Sequence, residues 1–373
     1  MADTDDARAR HELGTMSSQA PERAAEDRPK PGQVQNAVQP PTNPVERIVR
    51  RFDRWQQRHT VIAFPIAVVK KFGDDQAGNL VSLLAYYSFL AAFPLLLAFT
   101  AVLGVALRRH AELHEKLVNS AFAEFPIVGG QIHDQLGVEA FTGTFPSLMI
   151  GVAGALVGGR GFAHALQNTL NTVWAVPKVD RPGFFPRYLR TISLLLLLSL
   201  IVVVTGAAST AAGTATSLGV GGLPARIVSL AVGTALGFGF FLVLFRVAAS
   251  GQVSTRSMLF GAAISALGWQ ILLTVAGFVV AHQLRHAQAV AGLFGVVLGL
   301  LAWLALQATV IVYAIEADVV RARHLWPRSI VQPPLTDADR SYYTDALRAE
   351  AQRPEQRIHL AYETDEKPKD HSC

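Results

Sequence analysis

The residues of this chain that could do chemistry are a few charged and amide side chains set into long apolar runs. Arg160 directly follows an uncharged run, 140–159, while Glu316 and Asp318 close another such run near the end of the chain. An ionisable group at membrane depth is costly, and it is therefore a functional candidate by default. The chemistry that such groups offer is ion pairing, proton binding or recognition of a charged substrate.

Arg160 and the two carboxylates each have two interpretations. The fork of Arg160 can hold the phosphate of an anionic headgroup in two parallel hydrogen bonds, or the side chain can extend to lipid phosphate from the interface with no specific role. An unpaired buried carboxylate is costly. We therefore expect Glu316 and Asp318 to pair with Arg246 or Arg160, with a substrate or proton site as the alternative.

Two further positions are candidates. Pro94 lies inside the first apolar run, where it removes one backbone hydrogen bond, and it is interpreted as a packing kink or as a hinge. Asn171 lies beside Gln167 and Asn168 and offers polar contacts between helices. Such amides most often fasten helices together, with contact to a substrate as the other role of Asn171.

The sequence predicts no catalytic, cofactor or metal site. It contains no GxxxxGK[ST] phosphate loop and no recognisable Ser/His/Asp or paired-carboxylate arrangement. His282 and His286 share a helical face, but no third ligand accompanies them, so zinc is not expected. Cys373 is the only cysteine, which excludes an intramolecular disulfide. We predict that the protein is not an enzyme and needs no cofactor.

The elements that must position these residues are transmembrane helices. Hydrophobic residues make up 51% of the 373 residues, charged residues only 16%, and the charges crowd into the two ends of the chain. A helix needs about 20 mostly apolar residues to cross the hydrocarbon layer. Six runs meet this need, approximately at 76–107, 140–174, 191–212, 227–245, 257–281 and 292–315. The predicted fold is an all-α, polytopic integral membrane protein with six transmembrane helices.

A basic amphipathic helix is predicted to precede the first transmembrane helix. Apolar residues recur at helical spacing from 45 to 58 among five arginines, a pattern suited to the headgroup layer. A nucleic-acid-binding helix would have similar charge but would rarely carry this apolar stripe into a membrane span. We therefore expect a membrane domain at 45–326, preceded by a disordered cytoplasmic tail at 1–44, which is too polar to form a core.

The C-terminal segment, 327–373, is predicted to be a polar cytoplasmic tail. Thr336 and Asp339 resemble a capping box that opens a short helix ending near Gln352. Lysine and arginine concentrate on the side of the membrane that the termini share, which predicts that both termini are cytoplasmic. The protein is then a multi-pass protein of the cytoplasmic (inner) membrane.

The positive charge also indicates the partners of the chain. The net charge of +5 is explained by basic residues that flank the helices and hold anionic lipids. The expected partner is therefore the lipid bilayer, and no nucleic acid is needed to explain the charge. The sequence is compatible with a homo-oligomer as well as with a monomer.

Several stretches resemble the YihY/virulence factor BrkB family of bacterial membrane proteins. The first is 85–97, which begins Ala-Tyr-Tyr-Ser-Phe-Leu-Ala-Ala-Phe-Pro-Leu-Leu, and the second is 161–177, which contains Asn171 and Trp174. The others are Phe245-Arg246 with Gly261 and Trp269, and Ala-Ile-Glu-Ala at 314–317. The chain departs from the family at Ala314, where a glycine is usual, and lacks a proline soon after Arg246. The resemblance implies a six-span helical inner-membrane protein without a settled activity.

The resemblance and the residues together favour a transporter or a protein that handles lipids or envelope precursors. The motivation is a kinked first helix, Arg160, and the carboxylates Glu316 and Asp318. The alternative is a non-transporting scaffold of the bacterial envelope that recruits partners through the 45–58 helix and the tails. Members of the family have been labelled ribonuclease BN, but metal-dependent RNA cleavage needs clustered metal ligands, which the sequence does not show.

Overall fold

The described residues are helices and connecting turns, with no β-strand among them. The computed structural model describes residues 44–106 and 145–181, scattered residues from 183 to 204, residues 222–358 except 252, 288–291 and 333, and residues 360 and 362. In chain order the helices are α1 (Pro44–Gln57), α2 (Thr60–Asp74), α3 (Ala77–Ala106), α4 (Phe145–Val173), α5 (Leu223–Ala248), α6 (Leu259–Ala287), α7 (Gly292–Ala322) and α8 (Asp337–Ala349). The all-α prediction is confirmed for this part of the chain.

Three described stretches are long and apolar enough to cross a membrane. They are Ile227–Ala248, Thr255–Ala276 and Val297–Ala322, and α3 adds the shorter apolar stretch Ala77–Ala92. The three stretches correspond to the last three predicted transmembrane helices. Most of the predicted third helix, 191–212, and all of 107–144 lie outside the described residues, so the six-helix arrangement stays a prediction.

Helices α3 and α4 form the most extensive helix pair among the described elements, because glycines on α4 admit α3 closely. A Cβ added at Gly158 would lie 2.9 Å from a carbonyl oxygen of α3, and one at Gly161 would lie 2.3 Å from the ring of Tyr87. Small residues allow such close approach in membrane helices. The ring of Pro94 lies against Gly154, 3.0 Å from where a Cβ would be. Pro94 is therefore part of a packed interface.

Helix α7 contacts α2, α3 and α6, and α5 packs on the other side of α6. Aromatic rings fill the space between α2, α6 and α7. Phe72 stacks on Tyr313 with ring centroids 4.2 Å apart, and the ring of Phe64 meets the edges of Phe260 and Trp326 at 5.9 and 5.4 Å. These contacts hold one end of α7 against α2, where the candidate site lies.

Helices α6 and α7 approach closely at Gly261, and its substitution tests this packing. A Cβ there would lie 2.3 Å from Asp318 Oδ2 and 2.7 Å from the carbonyl oxygen of Ala314. We expect Gly261→Ala to destabilise the folded protein by about 1–3 kcal/mol, the usual cost of overpacking. Thermal unfolding in detergent measures this effect. Gly239→Ala on α5 is the control, because an added Cβ there meets nothing within 4 Å; equal unfolding temperatures for the two variants would contradict the prediction.

Candidate functional site

One end of the helical bundle gathers a network of buried charge. Here α2 leads into α3, α4 and α7 end, and α8 packs against them; we name it the polar end. Seven ionisable side chains contact one another there as an ionic cluster. The cluster consists of Lys70, Lys71, Asp74, Asp75, Glu316, Arg328 and Asp339.

Lys71 lies at the centre of one half of the cluster. Its Nζ donates to Glu316 Oε2 at 2.8 Å, to Asp75 Oδ2 at 2.5 Å and to the Val173 carbonyl at 2.9 Å. An ammonium group has three hydrogens, so each finds an acceptor. Lys71 is 2% exposed and Glu316 0% exposed. Removing either charge would leave the other buried with less compensation, which is strongly destabilising.

The same contacts satisfy the C-terminal end of α4. The last carbonyls of a helix lack partners within the helix and carry partial negative charge. Lys71 donates to the carbonyl of Val173, and Arg323 donates to that of Trp174. Arg323 also bonds Asp345 of α8 at 2.7 Å. The end of α4 is thus held by cations from α2 and from the residues just after α7.

Asp339 lies at the centre of the other half. Its Oδ1 accepts from Arg328 Nε at 2.9 Å and from Lys70 at 3.1 Å, and its Oδ2 accepts from the Ser329 backbone N–H at 2.9 Å. Asp339 and Thr336 also form the capping box that opens α8. The predicted capping box is confirmed, although α8 ends at Ala349 rather than near Gln352.

Tyr342 of α8 joins the two halves. Its hydroxyl donates to Asp75 Oδ1 at 2.6 Å, and the guanidinium of Arg328 lies 4.3 Å from its ring centroid. Arg328 also pairs with Asp74 at 2.8 Å. Burial, and after it the carboxylate of Asp75, raises the pKa of Tyr342 above its ordinary value. The phenol therefore remains a hydrogen-bond donor.

A neighbouring contact anchors α1 to the segment after α7. Asp53 accepts from the Ile330 backbone N–H at 3.0 Å and from the Ser329 hydroxyl at 3.1 Å, and Gln56 donates to the Arg328 carbonyl at 2.9 Å. Asp53 and Gln56 are buried, while the apolar side chains of the helix face away from the protein. These exposed side chains are Val45, Ile48, Phe52 and Trp55.

Hydrogen bonding in this region lowers the pKa of two carboxyls. Burial by itself would raise the pKa of Asp339, but donors from Ser329, Arg328 and Thr336 outweigh it and hold the pKa below the ordinary 3.8. The pKa of Asp53 is lowered in the same way, against burial, by Ile330 and Gln56. The stability that such groups contribute is fully present above the ordinary pKa and is lost as pH falls through the folded-state value.

The structure gives the predicted carboxylates other partners than Arg160 and Arg246. Glu316 pairs with Lys71, and Asp318 Oδ1 accepts from the Gly261 backbone N–H at 2.6 Å. Arg160 and Arg246 are exposed. Because α4 runs unbroken from Phe145 to Val173, Arg160 lies about 20 Å along the axis from Val173 at 1.5 Å per residue. Arg160 therefore lies far from the contact between Lys71, Val173 and Glu316.

The two predicted asparagines have different surroundings in the structure. Asn168 accepts from Arg181 at 3.2 Å. Asn171 is buried, and its Oδ1 has no hydrogen-bond partner in the part of the chain that the structure describes. Among the described residues, no group of three or more His, Cys, Asp or Glu side chains is placed to hold a metal ion.

Sequence reasoning missed Lys71, Arg328, Asp339 and Tyr342 as members of a site. From the sequence alone, Lys71 is one of the basic residues that flank a membrane helix. A signal was available, because two lysines and two aspartates fall within 70–75, directly before an apolar run. A flank that only contacts headgroups needs no acidic residues, so this mixture indicates partners within the protein.

Comparison with known proteins gives two matches. The family model described as virulence factor BrkB matches residues 68–333. The inner membrane protein YhjD of Escherichia coli (strain K12) is 22% identical over 290 residues, which cover 74% of this chain and 83% of that protein. No solved structure matches the chain. All members of the ionic cluster except Asp339 fall within the residues that the family model matches.

Asp339→Asn tests whether the ionic cluster fixes α8. The substitution removes one charge from a buried pair and should destabilise the folded protein by about 3–5 kcal/mol. Because Asn does not titrate, the unfolding temperature of the variant should also depend less on pH below about 4 than that of the parent protein. Asp337→Asn, at an exposed position in the first turn of α8, is the control. Equal unfolding temperatures for the two variants would show that the ionic cluster does not fix α8 to the rest of the protein.

Proposed function

The chain belongs to the virulence factor BrkB family, and on that premise we propose that it is a multi-pass inner-membrane protein that transports or handles an anionic lipid or envelope precursor. Three helices within the described residues have membrane-spanning length and apolarity, and a relative that covers most of the chain is named as an inner membrane protein. The observation that carries the proposed substrate class is the position of Arg160.

Arg160 is the sixteenth of the 29 residues of α4, so it lies at the middle of a helix about 43 Å long. If α4 crosses the bilayer, the guanidinium starts close to the midplane. A charged side chain there costs at least about 2.5–3.5 kcal/mol on insertion scales. The side chain is exposed rather than packed in the described core. A ligand with a negative charge would compensate this cost.

The chemistry of Arg160 favours a phosphate or carboxylate group as that ligand. The planar guanidinium forms two parallel hydrogen bonds with either group. Gly158 and Gly161 on α4 hold that helix tightly against α3, so Arg160 projects from a rigid helix pair. A fixed arginine that faces outward at membrane depth suits the headgroup of a lipid or of a lipid-linked precursor.

Both described ends of the chain support a cytoplasmic position for the termini. Residues 53–56 of α1 contact residues 328–331, and α8 packs on α2 through Asp339 and Lys70, so the N-terminal and C-terminal segments lie at the same polar end. Positive charge at this end supports a cytoplasmic position for it. There α1 would rest in the headgroup layer with its exposed apolar side chains in lipid and its arginines on phosphates.

A non-transporting scaffold of the bacterial envelope is the second candidate function, and the anchoring of α1 and α8 favours it. Buried ion pairs and hydrogen bonds hold both helices in one arrangement, which would present a fixed surface to a partner protein. In this alternative, Arg160 has no ligand.

Native mass spectrometry of protein released gently from its own membrane tests the substrate class. We expect a discrete anionic lipid or precursor that stays bound to the parent protein and is lost, by at least about tenfold, when a bidentate charged contact of roughly 1.5–3 kcal/mol is removed in Arg160→Ala. Arg256→Ala is the matched control, because Arg256 is exposed in the short turn before α6. Bare protein, or the same bulk lipid in all three samples, would contradict lipid handling and favour the scaffold.

Labelling of Cys373 tests the topology without any new cysteine, since it is the only cysteine of the chain. A membrane-impermeant maleimide should leave Cys373 unmodified in cells with an intact inner membrane and should modify it once that membrane is permeabilised. A protein denatured in detergent provides the control for full reactivity. Labelling at the same rate in intact and permeabilised cells would place the C-terminus outside the cytoplasm.

A further inference from the structure

One carboxylate oxygen of Glu316 has no hydrogen-bond partner among the described residues. Its Oε2 accepts from Lys71 at 2.8 Å, but Oε1 is buried and has no hydrogen-bond partner within the described ranges. The residue as a whole is 0% exposed, so bulk water does not reach this oxygen. Buried polar atoms without a partner are rare and costly. A bound proton would remove the negative charge from this buried carboxyl group, and burial favours the neutral form.

The net charge of the ionic cluster also favours the binding of a proton. The cluster contains three cations, Lys70, Lys71 and Arg328, against four carboxylates, Asp74, Asp75, Glu316 and Asp339. With every group ionised, the cluster would carry one uncompensated negative charge. Burial and nearby like charge both favour the neutral form of a carboxyl group. The cluster as a whole therefore favours the uptake of one proton.

The contacts of the four carboxylates identify which of them takes this proton. Asp339 accepts hydrogen bonds at both oxygens, from Arg328 and Lys70 at Oδ1 and from Ser329 at Oδ2. Asp75 also uses both oxygens, with Lys71 and Tyr342. Asp74 is partly open to water, with a side chain that is 28% exposed. Glu316 is the member that is fully buried and has a free oxygen.

We propose that Glu316 is a reversible proton-binding site, with the proton carried on Oε1. In the binding step a proton from water adds to Oε1, no other bond changes, and Lys71 keeps its charge and its contact with Asp75. The charged and titratable groups that face the site are Lys71 and Asp75 from α2 and its end, and Tyr342 from α8; α4 contributes the Val173 carbonyl. Asp75 shares the ammonium of Lys71 with Glu316, and its side chain is 10% exposed.

Protonation at Glu316 would weaken the connection between α2 and α7. The ion pair between Lys71 and Glu316 joins the two helices at their buried end, and a neutral carboxyl attracts the ammonium less strongly than a carboxylate does. If the protein is a transporter, as proposed above, the proton is the ion to which transport is coupled. The binding step itself does not depend on transport.

Infrared difference spectroscopy of the purified protein in lipid nanodiscs tests the site directly. In the parent protein we expect the carbonyl stretch of a protonated carboxyl to appear as the pH is lowered. Glu316→Gln should lose this band, because Gln keeps the shape of Glu but binds no proton. Asp318→Asn is the matched control, since Asp318 is buried on the same helix but bonds the Gly261 N–H, and it should keep the Glu316 band.

Three outcomes of the infrared measurement would overturn the proposal. They are a parent protein without any titrating carboxyl band, a band that persists in full in Glu316→Gln, and a band that is lost in Asp318→Asn alone. The first is read on the parent protein and so does not depend on whether a variant folds. A sodium-dependent unfolding temperature without a carboxyl band would also overturn it in favour of a metal cation. Failure to retain a lipid at Arg160 would leave this measurement unaffected, so the two proposals fail separately.

Discussion

The burial of Lys71 is the constraint on which the polar end depends. An ammonium group taken out of water needs an acceptor for each hydrogen and a negative charge nearby. The acceptors come from three places in the chain, namely the end of α2, the end of α4 and the last turns of α7. The polar end is satisfied only when these segments meet. A buried ion pair contributes little net stability but makes alternative arrangements expensive, so its main effect here is to define one arrangement.

The ends of the helices at the polar end also bond their last carbonyl groups to nearby donors. Three helices of the polar end are followed by a residue with left-handed backbone, namely Gln76 after α2, Ala175 after α4 and His324 after α7. At α4 and α7 the next residue then donates its N–H back into the last turn, Val176 to Asn171 and Leu325 to Val320. Non-glycine residues adopt this conformation at a cost. Cationic side chains that bind the remaining carbonyls of α4 help to offset it.

The sequence predicted the helices well because the signal for an apolar helix is local. Runs without charge locate α3 and α5 to α7, and the capping box at Thr336 depends on residues only three apart. The pairing of Lys71 with Glu316 joins residues 245 apart in the chain, and no local spacing encodes it. The need of Glu316 and Asp318 for buried partners was predictable from desolvation alone. The identity of the partners was not, because it depends on how α2 and α6 pack on α7.

Asp318 illustrates why residue type alone was insufficient. The expected partner was an arginine, yet the partner is the backbone N–H of Gly261 near the start of α6. The first turn of a helix has free N–H groups and partial positive charge, so it can replace a cation. Gly261 is small enough for α7 to approach this closely, and a sequence pattern that weighs only charged partners does not detect it.

The two proposed sites lie on different helices, Arg160 on α4 and Glu316 on α7, and Lys71 connects these helices. Arg160 and Val173 both belong to α4, which the glycine contacts with α3 make part of a rigid pair. Lys71 binds the end of α4 through Val173 and binds α7 through Glu316. A proton on Glu316 would weaken the contact with α7 while leaving the contact with α4 intact. The packing within the α3–α4 pair that carries Arg160 would be unaffected, because none of these glycine contacts involves Glu316.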